Sequence, residues 1–476
     1  MHLLEVKLNV VQRNKIDMKI KLYLLILLFS TSMISCKKKK NQPQKEEIAK
    51  IEAGKITNSV KCEHNYNVTY SVYLPSTKNK TKLFPVIFAF DPQGDGSLPV
   101  KLYSSLAEKF GFILIGSNNS KNGQNLDEVF TLFADLLTDI KNQLPVDTNN
   151  LYTLGFSGGA RVAAMLPLTK FNIKAAICCS AGIDPSIISG NEPISYVFVT
   201  GTEDMNYLEV KQSFEEIQKK SIACNFILFD GKHKWAPEEA MNDAFLYLSL
   251  KTLRQKSIAS DTLIVNNYVQ ITTKKAIAES DLTKKVYILK QLIANLKQFK
   301  STENFENNIK QIESLSAYKV KYKSTLAIEA EEEKMQKKYA ESFTSKDITW
   351  WQKQIENLNK QAKSTSKERS QLSIRLKNYI SLVAFSTTSS ALQSNNEINA
   401  ENYVKIYKMV DPENPDMFYL TACLLSTEGE VDSAVEMLYK AIEKGFTDVS
   451  RLQKDPMLEL VRMSESYQKL YLLITQ

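Results

Sequence analysis

Between about residue 60 and residue 250, short apolar runs alternate with helical stretches, and this alternation restricts the chain's fold more than any other feature. The apolar runs at 68–74, 85–90, 112–116, 151–156, 175–179, 195–200 and 225–229 read as strands. Amphipathic stretches at 101–110, 126–142, 160–168, 207–221 and 238–252 read as the helices between them. Strands that alternate with helices of roughly 10–15 residues predict βα units and a mainly parallel sheet. The runs VIFAF and AAICC are continuously apolar, as expected of strands covered on both faces. In such sheets, functional groups gather beyond the carboxyl ends of the strands.

One serine stands at such a place. In YTLGFSGGARVA, Ser157 directly follows the strand LYTLGF and precedes the helix GARVAAMLPL. Gly155, Gly158 and Gly159 relieve crowding at a strand-to-helix corner of this kind, and the helix aims its positive end at the serine. A serine nucleophile needs a base that titrates near neutrality. The chain has three histidines. His2 lies in or before a targeting segment, and His64 precedes the first well-marked strand. His233, in FILFDGKHKWAPEEA, follows a strand and precedes a helix starting near Pro237. An acid is expected between serine and histidine in chain order. The loop after SYVFVTG supplies Asp204, with Glu203 as a competitor and Asp184 as a distant third. Asp204 would accept the Nδ1 proton of His233 and fix its tautomer.

With these residues in place, the region 56–255 resembles the α/β-hydrolase superfamily. GFSGGA, GTED and GKHKWAP resemble its feruloyl-esterase and polyhydroxybutyrate-depolymerase-like branch. The resemblance implies a serine esterase acting through an acyl-enzyme on Ser157, and it covers about 40% of the chain. That branch has His-Gly after the strand preceding the oxyanion loop, whereas VIFAF here runs into Asp91-Pro92-Gln93-Gly94-Asp95-Gly96. Gly158 is the expected first oxyanion donor. Pro92 has no N–H, so the Gln93 backbone is the expected second, with Gly94 next. Asp91 and Asp95 disfavour an oxyanion unless Asp91 is tied into the loop. With about 15 residues between Cys179 and Ser195 there is no space for a cap domain. An open site suits esters on large or polymeric molecules. Phe156 and Trp235 are candidates to line an acyl or alcohol pocket, with core packing as the equal alternative. A catalytically inactive hydrolase-like module that binds through its helices is the competing reading, kept open by the DPQG departure. No cofactor is expected.

The segment MKIKLYLLILLFSTSMISC carries two lysines, an apolar run of about 13 residues and a small residue before Cys36. It resembles a bacterial lipoprotein signal. Acylation of Cys36 would anchor the chain to a membrane, with Met18 as the expected start and residues 37–55 as a polar tether. In the lipoproteins that this segment resembles, acidic residues directly after the cysteine mark surface export; Cys36 is followed by four lysines instead, so the resemblance implies a periplasm-facing, lipid-anchored location. Five further cysteines are scattered too widely for a disulfide framework. Cys178 and Cys179 should point to opposite sheet faces, and no Cys/His cluster has zinc spacing. The net charge of +8 draws partly on Lys37–Lys40, which argues against a nucleic-acid partner.

Beyond residue 255 glycine nearly disappears and long helices are predicted. AIEAEEEKMQKKYAESF reads as a solvated helix supported by i, i+4 pairs. In DITWWQKQIENL, Asp347 is a plausible cap, with one of Trp350 and Trp351 packed and the other free to mark an interface. The expected divisions are a helical region at 256–397 and, at 398–476, a stretch resembling a tetratricopeptide repeat, with Ala422 on one helix and Ala434, Leu438 and Ala441 on the next. Such arrays imply a protein partner.

Overall fold

The computed structural model describes residues 50–77, 81–190, 192–255 and 262–475. The expected signal, Cys36 and most of the expected tether lie outside them. Eight strands, β1 (Ile56–Lys61), β2 (Thr69–Tyr73), β3 (Phe84–Phe90), β4 (Ile113–Ser117), β5 (Val146–Phe156), β6 (Ile173–Cys179), β7 (Ser195–Gly201) and β8 (Ala223–Phe229), form one sheet. Their order is β1-β2-β4-β3-β5-β6-β7-β8. β1 and β2 are antiparallel to their neighbours, and β3 to β8 run parallel. With its helices on both faces this is the α/β-hydrolase fold. Seven strands lie where the apolar runs predict them. β1 was not foreseen: ITNSVK is mostly exposed, and its register shifts between Thr57 and Val60. An irregular, polar edge strand carries no alternation to read.

Helices α1 (Ser97–Phe110) and α5 (Glu238–Gln255) cover one face, where Val100, Tyr103, Ala244 and Phe245 pack on Ile87, Leu114 and Tyr152. On the other face lie α2 (Leu126–Gln143), α3 (Gly158–Met165) and α4 (Tyr207–Lys219). There Ala160, Val210 and Phe214 meet Ala176, Tyr196 and Phe198, while Phe133 of α2 sits edge-on to Phe88, 5.0 Å between ring centroids. Cys178 and Cys179 divide between the two faces, as the strand period requires. Both are fully buried free thiols.

The described residues beyond α5 are helical: α6 (Leu263–Ala278), α7 (Leu282–Leu296), α8 (Glu303–Ser314), α9 (Ser316–Ser342), α10 (Ile348–Gln361), α11 (Lys367–Gln393), α12 (Glu397–Val410), α13 (Pro415–Thr427), α14 (Val431–Glu443), α15 (Val449–Lys454), α16 (Glu459–Arg462) and α17 (Glu465–Thr475). Leu246 and Leu250 of α5 share a core with α6, α7 and α8, so the last helix of the sheet layer also starts the helical half. α7 lies along β8: Tyr287 packs on Phe214 and Phe226, and Asn295 donates to the Asn225 side chain at 3.1 Å. This covers an edge strand that would otherwise offer unpaired backbone groups. Ala49–Gln476 forms one compact unit.

α13 and α14 bury Ala422, Ala434, Leu438 and Ala441 completely, and the chain between them turns through Gly429 at φ 83°. Asp347 caps α10 by accepting the Trp350 N–H at 2.8 Å. Trp351 is fully buried against Tyr339 and Phe343, and Trp350 packs at the rim of the same cluster with Lys338 over its ring. The pair therefore belongs to the helical core. The acids of α9 depart from the expectation of a solvated face. Glu332 is fully buried, and Glu329, Glu331 and Glu332 pair with Lys211, Arg369 and Arg375 on other helices rather than along their own. No helix of the described residues is long and apolar enough to cross a membrane.

Candidate active site

β5 ends at Phe156 and α3 starts at Gly158, so Ser157 alone turns the chain, at φ 52° and ψ −119°. That conformation is costly for a residue with a side chain and is held by its surroundings. The Ser157 N–H donates to the Cys179 carbonyl at 2.9 Å. A Cβ added at Gly155 would lie 2.1 Å from the Gly159 oxygen, and one at Gly159 would lie 2.1 Å from the Phe90 oxygen. Only glycines let α3 settle this closely on β5 and β3, and the settling leaves the serine hydroxyl standing above the strand ends.

The loops after β7 and β8 bring two partners to it. His233 Nε2 lies 3.0 Å from Ser157 Oγ, and His233 Nδ1 lies 3.0 Å from Asp204 Oδ1. With Nδ1–H donating to the carboxylate, Nε2 is left to accept the serine proton. Asp204 is fully buried while His233 is 20% exposed. Asp204 Oδ1 also accepts the Asn206 N–H at 2.9 Å, and Oδ2 has no hydrogen-bond partner among the described residues. Both imidazole nitrogens are thus engaged, neither by Glu203. Asp184 is exposed and caps a short turn through the Ser186 N–H. His64 sits by Asp135, away from this cluster.

The loop after β3 differs from expectation at one position. The Gln93 N–H, chosen as second oxyanion donor, donates to Asp91 Oδ1 at 2.8 Å, and the Gly94 N–H donates to the Asp91 carbonyl at 3.0 Å. The first closes an Asx turn, the usual use of an Asp two residues upstream, and the second closes the β-turn around Pro92 and Gln93. The other carboxylate oxygen of Asp91 accepts the Trp235 indole N–H at 2.9 Å. Asp91 is therefore tied down on both oxygens. Gly158 opens α3, so its N–H is one of the first-turn donors without an intrahelical acceptor. Beside it lies Asn122, unforeseen from sequence: a Cβ on Gly158 would stand 1.7 Å from Asn122 Oδ1 and 3.3 Å from Nδ2. The Asn122 N–H donates to the Pro92 carbonyl at 2.8 Å, which fixes this loop to the loop after β3.

Phe156 packs between the rings of His233 and Trp235, at centroid distances of 4.8 and 5.4 Å, and Trp235 also meets Tyr103 edge-on at 5.9 Å. Both aromatics are partly buried against the α1/α5 core. A cleft of about 1250 Å³ lies between Gln93, Gly94 and Asp95 on one side and residues 447–451 and 454–457 of the helical half on the other; Ser157, His233, Phe156 and Trp235 do not line it. Among the described residues no cluster of His, Cys, Asp and Glu could hold a metal ion.

No protein-family model matches the chain. It is 27% identical over 153 residues to feruloyl esterase D of Neurospora crassa, an alignment covering 28% of this chain and 52% of that protein. The chain thus spans about half the length of the curated relative it matches. Among solved structures it is similar to fluorophosphonate-binding serine hydrolase F of Staphylococcus aureus, with 11% identity, 41% of this chain and 97% of that one covered, and a TM-score of 0.34. It is also similar to the S-formylglutathione hydrolase of the same organism, with 14% identity, 38% and 92% covered, and a TM-score of 0.31.

Proposed function

We propose that the chain is a serine hydrolase that cleaves carboxylic esters through an acyl-enzyme on Ser157. One observation carries this reading: the unbroken line of contacts from Ser157 Oγ through His233 to Asp204, both steps 3.0 Å long. His233 Nε2 takes the hydroxyl proton as Oγ attacks the ester carbon, and Asp204 stabilises the imidazolium that forms. The carbonyl π electrons move onto oxygen, which the Gly158 N–H receives. Collapse of this intermediate expels the alcohol, protonated by His233. Water, deprotonated by the same nitrogen, then releases the acid and restores Ser157.

With Gln93 turned into its own loop, the second oxyanion donor is assigned to the side chain of Asn122. A half-turn of its amide presents Nδ2–H on the side now occupied by Oδ1. The competing reading, an inactive module, is kept open by the DPQG departure, and a second donor at Asn122 is the feature that argues against it. Sequence likeness to a feruloyl esterase supports aromatic acyl esters as the first substrates to try. The short connection from β6 to β7, with no space for a cap domain, supports a bulky or polymeric alcohol. The lipoprotein-like segment ending at Cys36 supports a lipid anchor in the bacterial cell envelope, facing the periplasm. The paired helices α13 and α14 support a tetratricopeptide-like surface for a protein partner.

Fluorophosphonate labelling of wild type, Ser157→Ala and His233→Ala, followed by acetyl, butyryl and feruloyl esters, tests the catalytic reading. Labelling of the wild type that disappears in Ser157→Ala is the expected result. An unlabelled wild type transfers the weight to the binding reading. Release of Cys36→Ser from the membrane fraction tests the anchor.

A further inference from the structure

The segment 202–205 carries Asp204, and its carbonyls point into the helical half. Arg375 Nη1 donates to the Thr202 carbonyl at 2.9 Å, Asn378 Nδ2 to the Glu203 carbonyl at 2.9 Å, and Gln336 Nε2 reaches the Met205 carbonyl at 3.5 Å. Three side chains from α9 and α11 therefore hold the backbone on both sides of the acid. The central one is itself fixed. Arg375 makes a two-pronged contact with Glu332, Nε to Oε1 at 2.8 Å and Nη2 to Oε2 at 2.5 Å, with side chains 6% and 0% exposed. A planar guanidinium so paired has one direction left for its remaining N–H groups, and here that direction meets Thr202. The same guanidinium covers the ring of Tyr207, 4.4 Å from its centroid, at the start of α4. Glu329 of α9 then takes Lys211, one turn further on, at 2.6 Å.

This support matters because Asp204 is sparsely held. Within its own loop its carboxylate accepts one backbone N–H, from Asn206, and Oδ2 accepts none. The placement of the carboxylate under His233 Nδ1 then follows the placement of the backbone, whose N–H groups at Thr202 and Glu203 are held from the sheet side by the Phe229 and Gly231 carbonyls and whose carbonyls are held by α9 and α11.

We propose that Arg375, Asn378 and Glu332 are positioning residues for Asp204, so that the helical half completes the catalytic centre rather than only covering it. The proposal rests on the esterase reading for its kinetic consequences and on geometry alone for its structural one. Loss of correct geometry by about 1 Å at a triad can cost on the order of 100-fold in rate.

The test compares full-length Asn378→Ala and the paired Glu332→Met/Arg375→Met with wild type. The paired variant replaces a buried ion pair by apolar side chains of similar length, which folds are known to accept. The expected result is a fall in kcat of about 10-fold for Asn378→Ala and about 100-fold for the pair, with KM within about two-fold and the thermal midpoint retained. In an Asp204→Ala background the same changes should cost nothing further. Independently of any activity, the low-field proton resonance of His233 Nδ1–H should weaken or shift in both variants. Full kcat with an unchanged resonance overturns the proposal, as does an equal loss in the Asp204→Ala background. A wild type without esterase activity or labelling sinks the esterase reading alone, and the resonance then decides the clamp in the same two directions.

Discussion

Trp235 donates its indole N–H to Asp91 across 2.9 Å, joining the loop after β8 to the loop after β3. The contact ties the Asp91 carboxylate into the protein's own hydrogen bonds: Asp91 is 4% exposed and both of its oxygens have donors. Trp235→Phe keeps the ring and deletes the donor. It should destabilise the fold by about 1–3 kcal/mol, the cost of leaving a buried acceptor unpaired. The same variant should also lower kcat. Urea denaturation alongside ester hydrolysis checks both.

Ser157→Ala should reduce kcat by at least about 10⁴-fold with little change in substrate affinity, since the hydroxyl is used in bond making and not in binding. Steady-state kinetics on a chromogenic ester gives the number.

Asn122→Ala should lower kcat on the order of 100-fold, the usual effect of deleting one oxyanion donor. Gly158→Ala places a methyl 1.7 Å from Asn122 Oδ1 and should expel the amide with a similar loss. The two losses should therefore not multiply in the double variant. Multiplicative losses would assign the second donor elsewhere.

The buried thiols give a pH prediction. Burial raises Cys62, Cys224 and Cys423 from an ordinary 9.0 to about 12. Their folded values lie above their unfolded ones, so their contribution to stability is complete below pH 9 and is lost as pH rises towards 12. At pH 8 a disulfide reagent should leave these three thiols of the folded protein untouched and label them after denaturation. Stability measured from pH 9 to 12 should decline.

Trp351→Ala should cost about 3–5 kcal/mol, as expected when a large ring is removed from a packed core. Trp350→Ala should cost much less, because that ring lies at the rim. Thermal unfolding of the two variants separates them.

How much of this was legible follows from what makes each signal local. β3 and β6 are marked by unbroken apolar runs, and the corner at Ser157 by glycines within four residues of one another. Ser157, Asp204 and His233 each end or follow a strand, so order and position together select them. β1 has no such mark, because an exposed edge does not need apolar alternation. Nothing in DPQGDG says that the Asp91 carboxylate takes the Gln93 N–H. Asn122 lies in SNNSKNGQN, where every polar residue looks like loop. Glu332 sits in a run of acids that suggests solvent, and only the fold reveals that Arg375, 43 residues away, removes it from water.

The distance between Thr202 and Arg375 is 173 residues, and that spacing has a consequence for synthesis. A ribosome that has just emitted the whole sheet has made the nucleophile, the base and the acid, yet the brace for the acid loop is still untranslated. Hydrolytic competence should then arrive late, in a single step, when α11 docks. Stalled nascent chains ending before and after residue 393 would show the step as a jump in fluorophosphonate capture.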